Sequence, residues 1–416
     1  MGKKRFVTAK EGAKELGVSL TTLYAYVSRG LVRSEATAEK SDKRKRYAYE
    51  DIERLKSRKE LRREPNKAAE RALHWGTPIL QSSITMIANN KLYYRGKNAV
   101  ELSKSSTVEE VALLLWEAEG LSEETFPTRA TDLPREWSKL KGTVGNLPFI
   151  QQFLILLPIA EGGDSTAYDL TPQRVTRTGS RIVRMMASVV ANRDVGKEGI
   201  GRTLPRTWGG SRRGGEALIN AALILCADHE LNVSSFTARC VASAGSNPYG
   251  AIIAGLSALK GTKHGGQTAR VEALLREIGK PSEITRTITD RLSRGEDIPG
   301  FGHTLYPDGD PRGRALLDLT YKHYPRSATT KLIQTLETEM RNRSEQEPTI
   351  DLGLVAIARN LSLPPDGAIT LFALGRVIGW IAHALEQYKL DSIIRPRAKY
   401  VGRLPEGGNE NQSLLT

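Results

Sequence analysis

The chain has 416 residues, and its hydrophobic content of 39% and charged content of 26% are typical of a globular protein with two or three domains. No apolar run reaches the roughly 18 residues of a membrane helix, because Pro158, Gly255 and Arg376 interrupt the longest ones. The N-terminus lacks the apolar core of a signal peptide, and Cys226 and Cys240 are too few for a disulfide framework or a zinc site. We therefore expect a cytoplasmic protein without membrane contact.

The positive charge is concentrated at the start of the chain. The net charge is +14 in total, and residues 1–67 carry +9 of it. A basic head on a nearly neutral body indicates that the head contacts nucleic acid. A solvated basic surface without a partner is the alternative.

Residues 1–58 are typical of a helix-turn-helix module. Thr8–Glu11 forms a capping box that starts a helix through Leu16, and Ser19 can cap a second helix over Leu20–Arg29. Two short helices around a glycine-containing turn, followed by a basic segment, resemble the winged-helix modules of MerR-type and excisionase-type proteins. Such modules also bind proteins, so that alternative stays open. The candidate DNA contacts are Thr21, Thr22, Tyr24, Arg29, Arg44 and Arg46.

Residues 59–72 are dense in charge and contain Pro65, which predicts a linker. Beyond it, over residues 73–416, helical periodicity dominates, and strand signals are confined to the region from Ile79 to Tyr94. The body is therefore predicted to be mainly α. Its predicted helices are Val108–Glu117, Arg181–Val190, Glu216–Glu230, Val271–Ile278, Arg314–Tyr321 and Leu371–Gln387.

Arg376 lies in the middle of an apolar helix, with Phe372, Ala373, Gly379 and Trp380 as its helical neighbours. A buried guanidinium needs an anionic partner. That partner is either an acidic residue of the chain or a bound carboxylate, which the planar guanidinium holds well.

Three of the six histidines occur in glycine-rich or buried polar settings. His303 lies in a glycine-flanked loop, His264 precedes two glycines, and His229 closes the predicted helix from Glu216. After His303, Asp310 and Pro311 are a good N-cap and first helical residue, which places Arg312 in the first turn. Asp308 and Asp310 lack a second histidine at ligand spacing, so we predict no metal site.

Several short motifs, taken in order, resemble those of citrate synthases. The resemblance covers residues 73 to 405 and predicts their fold: a large helical domain and a smaller one, at about 264–357. The motifs lie at 76–78, 94–96, 226–234, 263–266, 300–303, 310–312, 350–351, 371–383 and 395–397.

The resemblance implies a role for each matching residue. Asp351 would remove the proton next to the thioester of an acyl-CoA, His264 would donate a hydrogen bond to the thioester oxygen, and His303 would bind the ketone oxygen of oxaloacetate. A carboxylate can remove such a weakly acidic proton only if the enolate is stabilised as it forms. The substrate carboxylates would be held by His229, Arg312 and Arg376, and by Arg395 from the partner subunit of a homodimer.

The implied reaction joins acetyl-CoA, oxaloacetate and water to give citrate and CoA, and needs no metal or redox cofactor. Leu352, Gly353 and Pro307 depart from the family pattern on the acyl-CoA side, so a 2-methylcitrate synthase that uses propionyl-CoA is one alternative. A DNA-binding regulator with a metabolite-sensing body is another. The structural alternative to a catalytic role for Asp351 is the N-cap of the helix that follows it, and the two roles are compatible.

Overall fold

The computed structural model describes residues 6–36, 45–52, 55, 80–118, 120, 125–126, 133–195, 198–208, 213–398 and 402–403. The chain divides into two compact units, residues 1–81 and 82–416. The unit boundary lies close to the end of the predicted linker.

The first unit contains a three-stranded antiparallel sheet and two helices. Thr8 and Glu11 form the predicted capping box, and Ser19 accepts from the backbone N–H of Thr22, so both predicted caps are confirmed. The first helix ends at Gly17, whose φ of +57° suits glycine. The central strand pairs with both others, in the order β1-β3-β2. The elements are β1 (Phe6–Val7), α1 (Ala9–Leu16), α2 (Leu20–Ser28), β2 (Ser34–Ala36) and β3 (Lys45–Ala48).

The second unit begins with a small antiparallel meander of β4 (Thr85–Ala88), β5 (Lys91–Tyr94) and β6 (Lys97–Asn98). Strands β4 and β5 lie within the predicted strand region, whereas β6 lies beyond its end. Helices make up most of the remainder, as predicted. They are α3 (Ala99–Ser105), α4 (Val108–Trp116), α5 (Arg135–Val144), α6 (Phe149–Gly162), α7 (Pro172–Ala191), α8 (Ile200–Thr207), α9 (Gly215–Cys226), α10 (Val233–Ser243), α11 (Pro248–Leu259), α12 (Gly266–Ile278), α13 (Ile284–Ser293), α14 (Pro311–His323), α15 (Ala328–Ser344), α16 (Ile350–Leu361) and α17 (Gly367–Leu390).

Helix α17 is the central core helix of this unit. It packs against α4, α7, α9, α10, α11 and α16 and is buried around most of its circumference. By length and composition α17 is long and apolar enough to cross a membrane, so the prediction that no such stretch exists is wrong. The most apolar 18 residues of the helix are 94% buried inside the protein. A buried core helix can have the same length and composition as a membrane span, so a single helix of this kind is weak evidence for one.

A second group of packed helices comprises α12 to α16. Helix α14 approaches the start of α16 so closely that a Cβ added at Gly313 would lie 2.5 Å from the carbonyl oxygen of Thr349. The glycine therefore lets the first turns of two helices meet, and those turns carry Arg312 and Asp351.

Candidate active site

His229 lies in the turn between α9 and α10, because α9 ends at Cys226. The prediction that His229 closes a helix from Glu216 to Glu230 is therefore wrong. The turn passes through Glu230 at a φ of +52°, and Asn232 then caps α10 by accepting from the backbone N–H groups of Ser234 and Ser235. This path leaves the His229 imidazole 8% exposed, with Nε2 3.0 Å from the hydroxyl of Tyr306.

His264 lies in the turn that precedes α12. Its Nε2 is 2.8 Å from the Oγ of Ser234, whose hydroxyl is also 2.8 Å from the Asn232 side-chain oxygen. The edge of the imidazole meets Phe372 at a centroid distance of 6.1 Å. Burial, together with the positive charge of Arg376, lowers the pKa of His264 to about 4. The imidazole is therefore neutral at pH 7 and can donate a hydrogen bond without carrying a full charge.

His303 occupies the loop before α14, which Gly300 and Gly302 enter with φ values of +93° and +74°. Its Nδ1 accepts from the backbone N–H of Leu305 at 3.2 Å. Burial and the charge of Arg312 lower the pKa of His303, so the ring is neutral. A neutral ring that accepts at Nδ1 carries its proton on Nε2. The backbone of the loop thus fixes one N–H for donation to a ligand.

Arg312 lies in the first turn of α14, as predicted, and Asp310 is the N-cap of that helix. The two side chains form a bidentate ion pair, with Nε–Oδ1 at 2.9 Å and Nη2–Oδ2 at 2.8 Å. Burial alone would raise the pKa of the Asp310 carboxyl. The charge and hydrogen bonds of Arg312 have the larger effect and keep the pKa of Asp310 below its usual value. Asp310 Oδ2 also accepts from the backbone N–H of Ile350 at 3.1 Å. Arg312 therefore already has an internal carboxylate beside it.

Arg376 is buried with 1% exposure, as predicted. Its Nε donates to the carbonyl of Cys226 at 2.7 Å, and its Cζ lies 4.7 Å from the centroid of the Phe372 ring. Within the described part of the chain Nη2 has no hydrogen-bond partner, and no carboxylate forms an ion pair with this guanidinium. Burial lowers the pKa of Arg376, and the charge of Asp228 partly offsets this. A buried cation with an unused donor is suited to receive an anion.

Asp351 lies in the first turn of α16. The N-cap of that helix is Thr349, so the alternative that Asp351 itself caps the helix is wrong. The Thr349 hydroxyl is 3.5 Å from Oδ2 of Asp351. Burial raises the pKa of the Asp351 carboxyl to about 6, against the opposing charge of Arg312. A carboxylate with a raised pKa is a stronger base than an ordinary aspartate, and it is still mostly ionised at pH 7.

Electrostatic coupling shows which of these residues lie near one another. Besides burial, the charges of Arg312 and Arg376 lower the pKa of His229. The His229 and His303 rings are 5.3 Å apart. Asp351 joins the group through Arg312 and Asp310, both of which act on its pKa. Six of the seven predicted residues therefore belong to one cluster, in which His229, Arg312 and Arg376 are buried and His264, His303 and Asp351 are half-buried.

Arg395, the seventh predicted residue, is exposed in the segment after α17. The N–H of Ile394 donates to Ser243 at the last turn of α10, whereas Ser234, the contact of His264, is at the first turn. The two serines are nine residues apart, or roughly 13 Å along a helix with a 1.5 Å rise per residue. No described contact joins Arg395 to the cluster of its own chain.

Sequence reasoning missed two residues that touch the cluster. Tyr306 contacts His229, and Ser234 contacts His264. The position of Tyr306 in the loop between His303 and Asp310 was a usable signal, but a tyrosine there is equally typical of packing. Ser234 appears in the sequence only as an early residue of a helix.

A cavity of about 1970 Å³ opens elsewhere in the second unit, and none of the six cluster residues lines it. Its walls come from α3, α4, α8, α9 and the outer side of α14. Basic and acidic side chains alternate there, including Arg184, Glu109, Arg314 and Asp318. Size alone does not identify this cavity as the reaction site, because it lacks the carboxylate, imidazoles and unpaired guanidinium found in the cluster.

The first unit presents most of the predicted DNA contacts to solvent. Thr21 and Tyr24 are exposed on α2, Arg29 is exposed at the C-cap of that helix, and Arg46 is exposed on β3. The hydroxyl of Thr22 instead pairs with Ser19 in the helix cap. Arg44 lies outside the described residues.

Two family models match the chain. A model described as "Citrate synthase, C-terminal domain" matches residues 72–397, and one described as "MerR HTH family regulatory protein" matches residues 7–65. Both agree with the resemblances in the sequence.

Individual relatives agree with the family models. The chain is 30% identical over 356 residues to citrate synthase 2 of Bacillus subtilis strain 168, covering 79% of this chain and 94% of that protein. It is 29% identical over 350 residues to 2-methylcitrate synthase 1 of Corynebacterium glutamicum, covering 77% and 91%. The crystal structure of citrate synthase from Thermotoga maritima MSB8 superposes with a TM-score of 0.69 at 29% identity, covering 81% and 97%.

Proposed function

Since this chain belongs to the citrate synthase family, we propose that it condenses acetyl-CoA with oxaloacetate and water to give citrate and CoA. The predicted fold and family are confirmed, and the chain is a citrate synthase-type enzyme. The choice of acetyl-CoA, the residue roles, the dimer and the DNA contact are proposals. The observation that supports the reaction best is the cluster itself, which combines a buried guanidinium that has no carboxylate partner among the described residues, neutral imidazoles and a carboxylate whose pKa is raised.

In the proposed mechanism Asp351 removes the proton next to the thioester, and His264 donates to the thioester oxygen as negative charge develops there. A neutral donor stabilises the enolate without placing a full positive charge beside the base. The enol carbon then attacks the ketone carbon of oxaloacetate, while His303 donates its Nε2 proton to the ketone oxygen. Water hydrolyses the resulting thioester and releases CoA. These steps use the chain's own side chains and need no metal or redox cofactor.

The reaction is tested by measuring free thiol released from acetyl-CoA. We expect release to require oxaloacetate and to fall at least a hundredfold in Asp351→Asn, because loss of a general base typically costs 10²–10⁴ in rate. Asp308→Asn is a matched control, since Asp308 is an exposed carboxylate in the loop that follows His303. Undiminished turnover in Asp351→Asn would rule out the assigned base.

Propionyl-CoA, which would make the product 2-methylcitrate, is the alternative acyl substrate. It is favoured by the similarity to 2-methylcitrate synthase 1 of Corynebacterium glutamicum. One methylene group is worth only about 1–3 kcal/mol of discrimination, or 10- to 200-fold in rate. Parallel kcat/KM measurements with the two thioesters decide between them; a higher value for propionyl-CoA would replace the acetyl-CoA proposal.

We also propose a homodimer in which Arg395 binds oxaloacetate in the partner subunit's site. The support is that Arg395 is exposed and that its segment is attached to the end of α10 remote from His264. Arg395→Ala should raise the KM for oxaloacetate at least tenfold and leave the KM for the acyl-CoA unchanged. An unchanged KM for oxaloacetate would reject the cross-subunit role.

For the first unit we propose binding to duplex DNA through α2 and the basic segment around β3. The support is the net charge of +9 over residues 1–67, the exposure of Thr21 and Tyr24 on α2 and of Arg29 at its C-cap, and the match to a MerR regulatory module. Binding of the full chain to duplex DNA should weaken steeply as salt rises, because Lys and Arg displace phosphate counterions. Absent or salt-insensitive binding would leave protein contact as the role of this unit.

A regulator whose synthase-like body only senses a metabolite is the remaining alternative. The helix-turn-helix unit favours it, whereas a sensor has no use for the strengthened base at Asp351. Tight DNA binding that responds to oxaloacetate, in a protein that releases no thiol, would establish it in place of the enzyme.

A further inference from the structure

We propose that Tyr306 is a positioning residue for oxaloacetate. Its hydroxyl donates to Nε2 of His229 and so keeps the proton of that imidazole on Nδ1, where it is offered to a substrate carboxylate. The inference rests on the proposed function, since it concerns the same site. It assigns a role to a residue that the reaction scheme above does not use.

Tyr306 is in contact with three of the proposed substrate-binding groups. The residue is 1% exposed, and its hydroxyl lies 3.0 Å from Nε2 of His229. The centroid of its ring is 4.9 Å from that of His303 and 5.5 Å from Cζ of Arg312. Tyr306 therefore helps to fix the positions of the three side chains that would contact the substrate.

The direction of the hydrogen bond follows from the chemistry of the two groups. Burial raises the pKa of Tyr306, and burial with the nearby positive charges lowers the pKa of His229 well below its usual value, so both groups are neutral. An imidazole nitrogen is a far stronger base than a phenol oxygen. The favoured arrangement therefore has the O–H of Tyr306 donating to Nε2, and the single imidazole proton then resides on Nδ1.

The substrate requires that proton. A carboxylate only accepts hydrogen bonds, so an imidazole nitrogen without a proton would repel it. Nδ1 of His229 makes no hydrogen bond among the residues described, and the charge of Arg376, whose Nη2 is also unpartnered, acts on His229. The Nδ1–H of His229 and the Nη2–H of Arg376 are thus both available to donate hydrogen bonds to the same bound carboxylate.

Tyr306→Phe tests the inference, because it removes the hydroxyl and keeps the ring that packs on His303. Titration calorimetry should show about a tenfold weaker Kd for oxaloacetate, the effect of losing roughly one hydrogen bond. The KM for acyl-CoA should stay unchanged, and the melting temperature should fall no further than in a variant that loses a tyrosine hydrogen bond elsewhere. Tyr321→Phe is the matched control: it also removes a hydrogen-bonded tyrosine hydroxyl, which contacts Glu337, but not one in the cluster.

Two further measurements separate positioning from a general structural effect. ¹⁵N NMR of histidine-labelled protein should show His229 protonated on Nδ1 in the wild type and as a mixture of tautomers in Tyr306→Phe. In a double-mutant cycle with His229→Asn, the effect of Tyr306→Phe on the Kd should largely disappear, because Tyr306 acts through His229.

Unchanged tautomer signals, or a full effect of Tyr306→Phe in the His229→Asn background, would overturn the inference. The tautomer signal needs no substrate, so it still decides the role of Tyr306 if the proposed function fails. Failure of the proposed function would be recognised separately, by a wild-type protein that neither binds oxaloacetate nor releases thiol.

Discussion

Burial and two arginines control the protonation of the site. The pKa values of His229, His264 and His303 are all lowered, first by burial and then by the charges of Arg312 or Arg376. The same burial has the opposite effect on an acid and raises the pKa of Asp351. At neutral pH the site therefore combines neutral hydrogen-bond donors with an ionised base, which is the combination that enolisation needs.

The raised pKa of Asp351 predicts the pH dependence of the reaction. The base is active only when ionised, so kcat/KM should fall tenfold per pH unit below about pH 6 and level off above it. His264, with a pKa of about 4, should not contribute to that limb. Initial rates of thiol release between pH 5 and pH 8 provide the measurement. A flat profile over this range would show that a different group acts as base.

Ser234 should matter for the chemical step. Its Oγ is 2.8 Å from Nε2 of His264, so Ser234→Ala should let that imidazole rotate and lower kcat about tenfold, the effect of losing roughly one hydrogen bond, with little change in the oxaloacetate KM. Ser235→Ala is the control, because Ser235 is its buried neighbour and its hydroxyl has no hydrogen-bond partner among the described residues. Equal losses in both variants would indicate damage to α10 rather than to His264.

At the level of elements, glycines in α17 determine how closely the helices approach. A Cβ at Gly375 would collide with the Leu223 carbonyl of α9, and one at Gly379 would collide with the Ala227 carbonyl and the Asp228 side chain. The second collision is in the turn that carries His229. The packing of α17 therefore sets both the core and the position of His229, a proposed substrate-binding residue.

Gly379→Ala tests this packing. The extra methyl group has no space, so we expect a loss of about 1–3 kcal/mol in the free energy of unfolding, together with a weaker oxaloacetate Kd. Gly142→Ala in α5 is the control: no atom lies within 4 Å of its added Cβ, and alanine favours the helix by roughly 0.5–1 kcal/mol. Denaturant titration measures both. A stability of Gly379→Ala equal to the wild type would show that the turn yields without cost.

Local signals predicted some element ends well and others poorly. The capping box at Thr8, the cap at Ser19 and the Asp310–Pro311 start of α14 depend on residue types with one strong backbone preference, and all three are confirmed. The end of α9 was placed too late because the residues after Cys226 continue the helical pattern. Tertiary contacts that the local pattern does not encode occur at this point: the Tyr94 hydroxyl lies 3.0 Å from the carbonyl oxygen of Ile224 and 3.2 Å from that of Asp228.

At the scale of the whole molecule, the sequence predicted a mainly helical body and the family. It did not predict the pairing within the site. Asp310 was identified as a helix cap but not as the partner of Arg312, and Tyr306 was passed over. Caps and helical faces are set by neighbours along the chain, whereas these contacts depend on how a loop folds back on a distant turn.

Subunits with complementary defects test the proposed dimer. At oxaloacetate concentrations well below the raised KM of Arg395→Ala, this variant and Asp351→Asn should each be severely impaired alone. In a mixed dimer, one site combines Asp351 from the first variant with Arg395 from the second. Random pairing should then restore about a quarter of the wild-type activity, because half of the dimers are mixed and each has one intact site of two. Failure of co-expressed, mixed subunits to regain activity would mean that each chain uses its own Arg395.

One carboxylate, that of Asp310, holds Arg312 through two hydrogen bonds and also accepts from the N–H of Ile350, next to the proposed base. In the proposed mechanism Asp310 thus helps to position both Arg312, which would hold the keto acid, and Asp351, which would act as the base. A substitution of Asp310 would therefore disturb the positions of Arg312 and Asp351 together, whichever substrate it was meant to change. Divergence in substrate choice must therefore come from residues that touch one partner alone.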